Sequence, residues 1–319
     1  MDAELNKKKK STAVLSVISN SLLIVLKLIV GLMIGAVSVI SEAIHSAVDL
    51  VAAIIALFAV RTSTLPPDER HRFGHGKYEN LSGALEAFLI FVAAAWIIFE
   101  AVRKLIHPEP LETVGLGIIV MVISSVVNIL VSQRLFKIGR LTDSLALLAD
   151  AWHLRTDVYT AVGVAISLIA YWLGSILFPE VNLLWLDPVA AIVVALMILK
   201  AAWDLTKQSM GGLLDESLPK EEEKWVIETI HSFYPKVLSY HNFKTRKAGA
   251  ERFIEFHLVV DQYMTVKDSH QITDDITQRV REKYPFTVVT IHIEPCEHHC
   301  KEKCKEKCIL ETGGCTPGT

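Results

Sequence analysis

Apolar residues fall into six long blocks over the first two thirds of the chain, near 12–34, 37–60, 80–104, 113–134, 144–172 and 184–206. Each is long enough for a helix that crosses a hydrocarbon core, which takes about 20 residues. The polar connectors hold most of the basic residues: Lys7–Lys10, then Arg61, Arg70, Arg72 and Lys77, then Arg134, Lys137 and Arg140, then the chain beyond Lys207. A six-span topology puts all of these on one side. The positive-inside rule makes that side the cytoplasm, with both termini in it. The connector GSILFPEVNLLW before the last span carries no Lys or Arg, as an outer loop should, while Arg103 and Lys104 run mildly against the trend.

After the sixth block the pattern changes to mixed and charged. PKEEEKWVIETIHSFYP has helical period with acidic residues in its first turn. VLSYHNFKTRKAGAERFIEFHLVVD reads as two strands around an Ala248-Gly249 turn, VKDSHQITDDITQRVREKY as a helix, and FTVVTIHIEP as a closing strand. The order α-β-β-α-β predicts a small open sheet with two helices on one face. The expected fold is therefore an α-helical membrane protein of six transmembrane helices with a C-terminal cytoplasmic α+β domain. Its expected segments are a basic cytoplasmic 1–11, a transmembrane 12–210, the α+β domain 211–295 and a Cys/His-rich tail 296–319.

Composition agrees. In 319 residues, 51% are hydrophobic and the mean hydropathy is +0.39, too apolar for an ordinary soluble protein and fitting a multi-pass integral membrane protein in contact with lipid. The net charge of −3 says little, because its distribution matters more than its sum, and no nucleic-acid partner is expected. All five cysteines lie beyond Pro295, so no disulfide framework staples the body of the protein. Lys7–Lys10 imitates the start of a signal peptide, but the apolar segment after it has the length of a full span.

Two apolar blocks each carry a histidine four residues before an aspartate: His45 with Asp49 in SEAIHSAVDLV, and His153 with Asp157 in ADAWHLRTDVY. Four residues of helix return to the same face, so each pair projects together. In the six-span topology both pairs reach the middle of the bilayer. Two imidazoles and two carboxylates there form a tetrahedral set for a divalent transition metal. The bland alternative is hydrogen bonding between helices. Donors limited to nitrogen and oxygen favour zinc, with Co²⁺, Cd²⁺, Fe²⁺ and Ni²⁺ as other possible substrates. Imidazole binds metal only when neutral, so protons compete for His45 and His153. Glu42 and Asp150, each three residues before a histidine, either hand ions on or pair with polar neighbours such as Asn128.

Three further sets stand outside the spans. Asp68, His71 and His75 in PPDERHRFGHGKYEN supply a carboxylate and two imidazoles, or belong to an ordinary solvated loop. His241, His257, His270, His292 and Glu294 are spread over the α+β domain. Positions 292 and 294 share a strand face and can chelate together, unless these are plain surface histidines. Cys296, Cys300, Cys304 and Cys308 recur every four residues with His298 and His299 between them. They suit soft-metal capture in a reducing compartment, or are incidental in a charged tail.

From about residue 12 to 295, HSAVD at 45–49, WHLRTD at 152–157, DERHRFGHGKYE at 68–79 and the spaced histidines together resemble the cation diffusion facilitator family of metal exporters. The resemblance implies a transporter and not an enzyme. It implies a homodimer in which each protomer carries a transport site, here His45, Asp49, His153 and Asp157. It also implies a metallochaperone-like domain that binds regulatory zinc near the dimer contact, onto which His241, His257, His270 and His292 map, and a loop site at Asp68, His71 and His75. In similar members an aspartate is usual where Glu294 stands, and a histidine at the place of His45 goes with preference for zinc over cadmium. The expected activity is export of a divalent cation, foremost Zn²⁺, in exchange for protons across the plasma membrane. The rival class is a membrane-bound metal sensor or assembly scaffold that transports nothing.

Overall fold

The computed structural model describes residues 2–34, 37–107, 115–177 and 185–296. The tail expected beyond Cys296 lies outside the described residues. The chain divides into two compact units, Ala3–Gly211 and the part from Gly212 onward.

The first unit consists of six long helices: α1 (Asp2–Ile34), α2 (Val37–Ser63), α3 (Lys77–Ile106), α4 (Gly115–Leu141), α5 (Leu145–Leu177) and α6 (Leu186–Leu213). Among the described residues, five of them hold stretches long and apolar enough to cross a membrane. The other, α5, equals α1 in length but carries Asp150, Arg155 and Asp157 in its first half. It packs against α2, α3 and α4. Lipid is as apolar as leucine, so close approach of backbones, more than hydrophobicity, joins such helices. Small residues line many of the contacts: Ala52, Ala53, Ala56 and Ala59 on α2, Ala87 and Ala94 on α3, and Ala146, Ala149 and Ala151 on α5 are all buried, beside larger side chains such as Leu135 of α4 and Leu147 and Leu154 of α5. A Cβ on Gly83 of α3 would stand 2.6 Å from Ser209 Oγ of α6 and 3.2 Å from Leu145 of α5. Large apolar side chains such as Phe58, Trp96, Phe99, Leu130 and Trp203 face outward.

The helices overrun the expected spans at several ends. α1 starts at Asp2, so the run Lys7–Lys10 is helical. Lys9 is buried because its ammonium meets Glu79 in the first turn of α3. The same carboxylate accepts from Ser63 Oγ at the end of α2 (2.7 Å) and from Ser144 Oγ just before α5 (2.5 Å). One ionised group thus ties the starts of α3 and α5 to the end of α2. Losing one partner of such a buried pair costs about 3–5 kcal/mol.

The second unit follows the expected order: α7 (Lys220–His231), β1 (Val237–Ala248), β2 (Glu251–Asp261), α8 (Val266–Lys283) and β3 (Thr287–Cys296). The sheet order is β1-β2-β3, with β1 and β2 antiparallel and β2 and β3 parallel. Gly249 takes φ 60° in the β1–β2 turn, a conformation glycine adopts without steric cost. Thr265 caps α8 by accepting from the backbone N–H of Asp268. Ile272, Ile276 and Val280 recur every four residues along α8. They pack with Val226 and Ile230 of α7 onto Ile254, Phe256, Leu258 and Val260 of β2. Each such side chain contributes roughly 1.5–3 kcal/mol on burial. Both helices cover this one face, and the alternate residues of the strands are left on the other.

Candidate metal centres

Among the described residues, three groups of donors converge, each with ligand atoms within 4.8 Å of one another: Asp49, His153 and Asp157; Asp68, His71 and His75; and His241, His257 and Glu294.

The first group joins α2 to α5. His153 Nε2 lies 3.0 Å from Asp49 Oδ1, and both residues are almost fully buried. Opposite a carboxylate, the Nε2–H donates, and Nδ1 has no hydrogen-bond partner among the described residues. Asp157 follows His153 by one turn and brings a second carboxylate to the same face. His45 belongs to α2 one turn before Asp49, but its side chain lies outside the described residues, as does that of Glu42. Beside this group, Lys27 Nζ of α1 donates to Ser46 Oγ of α2 (2.7 Å). Two carboxylates and an imidazole gathered in a low-dielectric interior form a strong cation trap, because each anion removed from water needs positive charge to compensate it.

The second group is organised by a tight turn between α2 and α3. Asp68 Oδ1 accepts from the backbone N–H groups of His71 (2.6 Å) and Arg70 (2.9 Å). Gly74, at φ 83°, returns its N–H to His71 O (2.9 Å). The carboxylate then stands 3.4 Å from His71 Nδ1 and 3.3 Å from His75 Nε2, and the two rings are 4.5 Å apart. The hydrogen bond from the His71 N–H, followed by that from Arg70, holds the Asp68 carboxyl below its ordinary range. It therefore keeps its negative charge to lower pH than an ordinary aspartate. His75 is buried, whereas Asp68 and His71 are exposed, so one side of the group opens to solvent.

The third group occupies the sheet face that no helix of the unit covers. Strand register aligns His241 with His257 and His257 with His292, a row of three imidazoles across three strands. Glu294, two residues along β3 on the same face, reaches two of them: Oε1 is 2.7 Å from His257 Nδ1, and Oε2 is 3.2 Å from His241 Nε2. The Glu294 side chain thus bridges two strands. A register shift follows His241, where Asn242 adopts φ 51° and places its amide 3.0 Å from His257 Nε2. His292 lies beside His257 with ring centroids 4.8 Å apart and planes tilted by 55°, and its Nε2 is 3.8 Å from Glu294. His270 does not join this group. It projects from α8, largely exposed, with Asp274 Oδ2 3.6 Å away, because α8 packs on the opposite face of the sheet.

The motifs passed over one acidic residue buried within the helices. Glu86 lies seven residues after Glu79 on the same face of α3 and is fully buried. The available signal was the repeat of an acid at heptad spacing in an otherwise apolar segment.

Comparison with known proteins fits this geometry. Residues 13–214 match the family model for the cation efflux transmembrane domain, and residues 218–296 match that for the cytoplasmic domain of cation efflux proteins. The chain belongs to the cation diffusion facilitator family. It is 34% identical to an uncharacterised transporter of Synechocystis sp. over 82% of this chain and 83% of that one. It is 31% identical to the cation-efflux pump FieF of Escherichia fergusonii over 86% and 89% of the two chains. The FieF of Yersinia pestis is 30% identical over 93% and 96%. The metal-bound C-terminal domain of the CzcD transporter from Thermotoga maritima is similar at 30% identity, covering 25% of this chain and 96% of that one with a TM-score of 0.23. Like other cation diffusion facilitators, this protein is an integral membrane exporter of divalent metal cations and not an enzyme, and it forms a homodimer whose partners include metal ions.

Proposed function

We propose that the protein exports Zn²⁺ in exchange for protons, and that the ion in transit is held by His45, Asp49, His153 and Asp157. The observation that carries this reading is the meeting of Asp49, His153 and Asp157 across two packed helices. An aspartate in the middle of a membrane helix costs roughly 2.5–3.5 kcal/mol on the insertion scale. A dication bound by two carboxylates and two neutral imidazoles offsets that cost. In the inward-facing state the four groups give up their protons and take Zn²⁺. In the outward-facing state protons return to the same groups and displace it. The exchange needs no other residue, because metal and proton use the same lone pairs. Co²⁺, Cd²⁺, Fe²⁺ and Ni²⁺ are competing substrates for such a nitrogen and oxygen set.

The reading places 12–210 in the plasma membrane as the transport domain and 211–295 in the cytoplasm as a zinc-responsive domain, with 1–11 and 296–319 also cytoplasmic, following the basic residues of the connectors. His241, His257, His292 and Glu294 bind regulatory zinc near the dimer contact. Metal there biases the cycle by binding one conformation more tightly than the other. Asp68, His71 and His75 bind an additional ion in the loop.

The test uses proteoliposomes with a pH-sensitive dye inside. With a pH gradient imposed and no zinc gradient, an antiporter concentrates Zn²⁺ and moves protons in the opposite direction. A passive channel does not concentrate it, and a scaffold does neither. Asp49→Ala and Asp157→Ala should abolish uptake. Normal flux in either variant removes these four residues from the mechanism.

A further inference from the structure

Polar groups recur at three levels along the seam between α3 and α5. At the loop end, Glu79 is fully satisfied by Lys9, Ser63 and Ser144. The hydrogen bond from Ser144 sets the starts of α3 and α5 side by side. Glu86 lies seven residues beyond Glu79, about 10 Å along α3, and Asp150 lies six residues beyond Ser144, about 9 Å along α5. The two acids therefore reach one level. They lie within electrostatic reach of each other and of His153, which follows Asp150 by three residues.

Unlike Glu79, this second pair meets only serine hydroxyls and no cation among the described residues. Glu86 and Asp150 are both 0% exposed. Glu86 Oε1 accepts from Ser82 Oγ (3.1 Å), but Glu86 Oε2 and both carboxylate oxygens of Asp150 have no hydrogen-bond partner among the described residues. The Ser16 hydroxyl on α1 approaches Asp150 as a hydrogen-bond donor without reaching a well-formed bond, and the buried amide nitrogen of Asn20 one turn along has no hydrogen-bond partner among the described residues. Unsatisfied carboxylates in a membrane interior are costly and call for a positively charged partner. The donors on offer, two carboxylates and nearby hydroxyls, are all oxygen, a set that suits hard and borderline divalent cations.

We propose that Glu86 and Asp150 form a second cation station that holds a divalent metal ion in transit between the loop end of the bundle and the Asp49–His153–Asp157 group. The proposal rests on the transport role assigned to that group. An all-oxygen set binds a borderline metal less tightly than one containing imidazole. The ion is therefore drawn onward to His153, one turn away, and the lower affinity of the station keeps it from becoming a trap.

The test counts ions. Full-length homodimer in detergent, carrying Asp49→Asn and Asp157→Asn, is equilibrated by dialysis against Zn²⁺. Adding Glu86→Gln and Asp150→Asn to this background should remove a further ion per protomer. In proteoliposomes of otherwise unaltered protein, Glu86→Gln should raise the zinc concentration for half-maximal uptake about tenfold with far less effect at saturating zinc. Glu86→Asp, which restores the charge, should recover most of the loss and so separate ion binding from a folding defect. An ion count unchanged by the paired substitution overturns the station whatever the transport data show, and a pair that holds only a proton gives that result. If the Asp49→Asn, Asp157→Asn protein still transports zinc in proteoliposomes, the proposed transport site fails, while the ion count still decides the station.

Discussion

The donor group between α2 and α5 and the one on the open sheet face use the same chemistry in opposite surroundings. Asp49 and His153 are almost fully buried, on helices held together by alanines and by the Lys9–Glu79 pair. His241, His257 and Glu294 are partly exposed, and cross-strand register is what aligns them. In the first place an unpaired carboxylate is expensive, so bound charge is coupled to the arrangement of the helices. In the second, water can solvate the same groups when no ion is present. Burial makes the first group suited to a transport cycle, and exposure makes the second suited to sensing or buffering.

The largest expected contrast is functional. Asp49→Ala should reduce zinc uptake to the level of protein-free vesicles. His257→Ala should leave uptake measurable and shift only its dependence on zinc concentration. Equal loss in both variants would erase the distinction between the two sites.

A matched pair of substitutions contrasts the two environments in stability. Glu79→Gln leaves Lys9 buried without its counter-charge and should destabilise the protein by about 3–5 kcal/mol, read as a large drop in the thermal midpoint of the detergent-solubilised transporter. Glu294→Gln, with its side chain 34% exposed, should cost under about 1 kcal/mol while weakening zinc binding at the sheet by about tenfold. Similar midpoints for the two variants would show that Glu79 is not the tie that the hydrogen bonds describe.

The smallest effect belongs to the loop. The Asp68 carboxyl is held below its ordinary value near 3.9. Its contribution to stability is therefore complete above that range and is lost only as pH falls through the lower, folded value. Between pH 8 and 5 the Asp68 charge is constant, so any pH dependence of zinc binding by the loop over that interval comes from other groups. Asp68→Asn should weaken zinc binding but leave the pH midpoint of release in place, which zinc titrations at a series of pH values would show. A midpoint that moves with this substitution would assign the pH response to the carboxylate.

Much of this was legible from residue order. The periods of α7, α8 and the three strands, the Ala248-Gly249 turn and the helical blocks follow from local spacing, because a helix or strand shows its buried face in its own sequence. The pairing of His153 with Asp157, and the turn holding Asp68, His71 and His75, are local as well. The role of Lys9 was not legible. A lysine run before an apolar block looks solvated until the partner on α3, far along the chain, is placed beside it. Glu86 was overlooked for the same reason: a single acid in a span has no visible partner until α5 brings Asp150 to its level.

By itself the sequence determined the helices and strands, the types of ligand available and which ligands share a helix or strand face, since these depend on residues a few positions apart. Only the tertiary structure decided that Asp49 of α2 meets His153 of α5, that Glu294 bridges two histidines from other strands while His270 stays apart, and that Glu79 is neutralised where Glu86 and Asp150 are not. Those outcomes depend on packing and register between distant segments, which no local periodicity encodes.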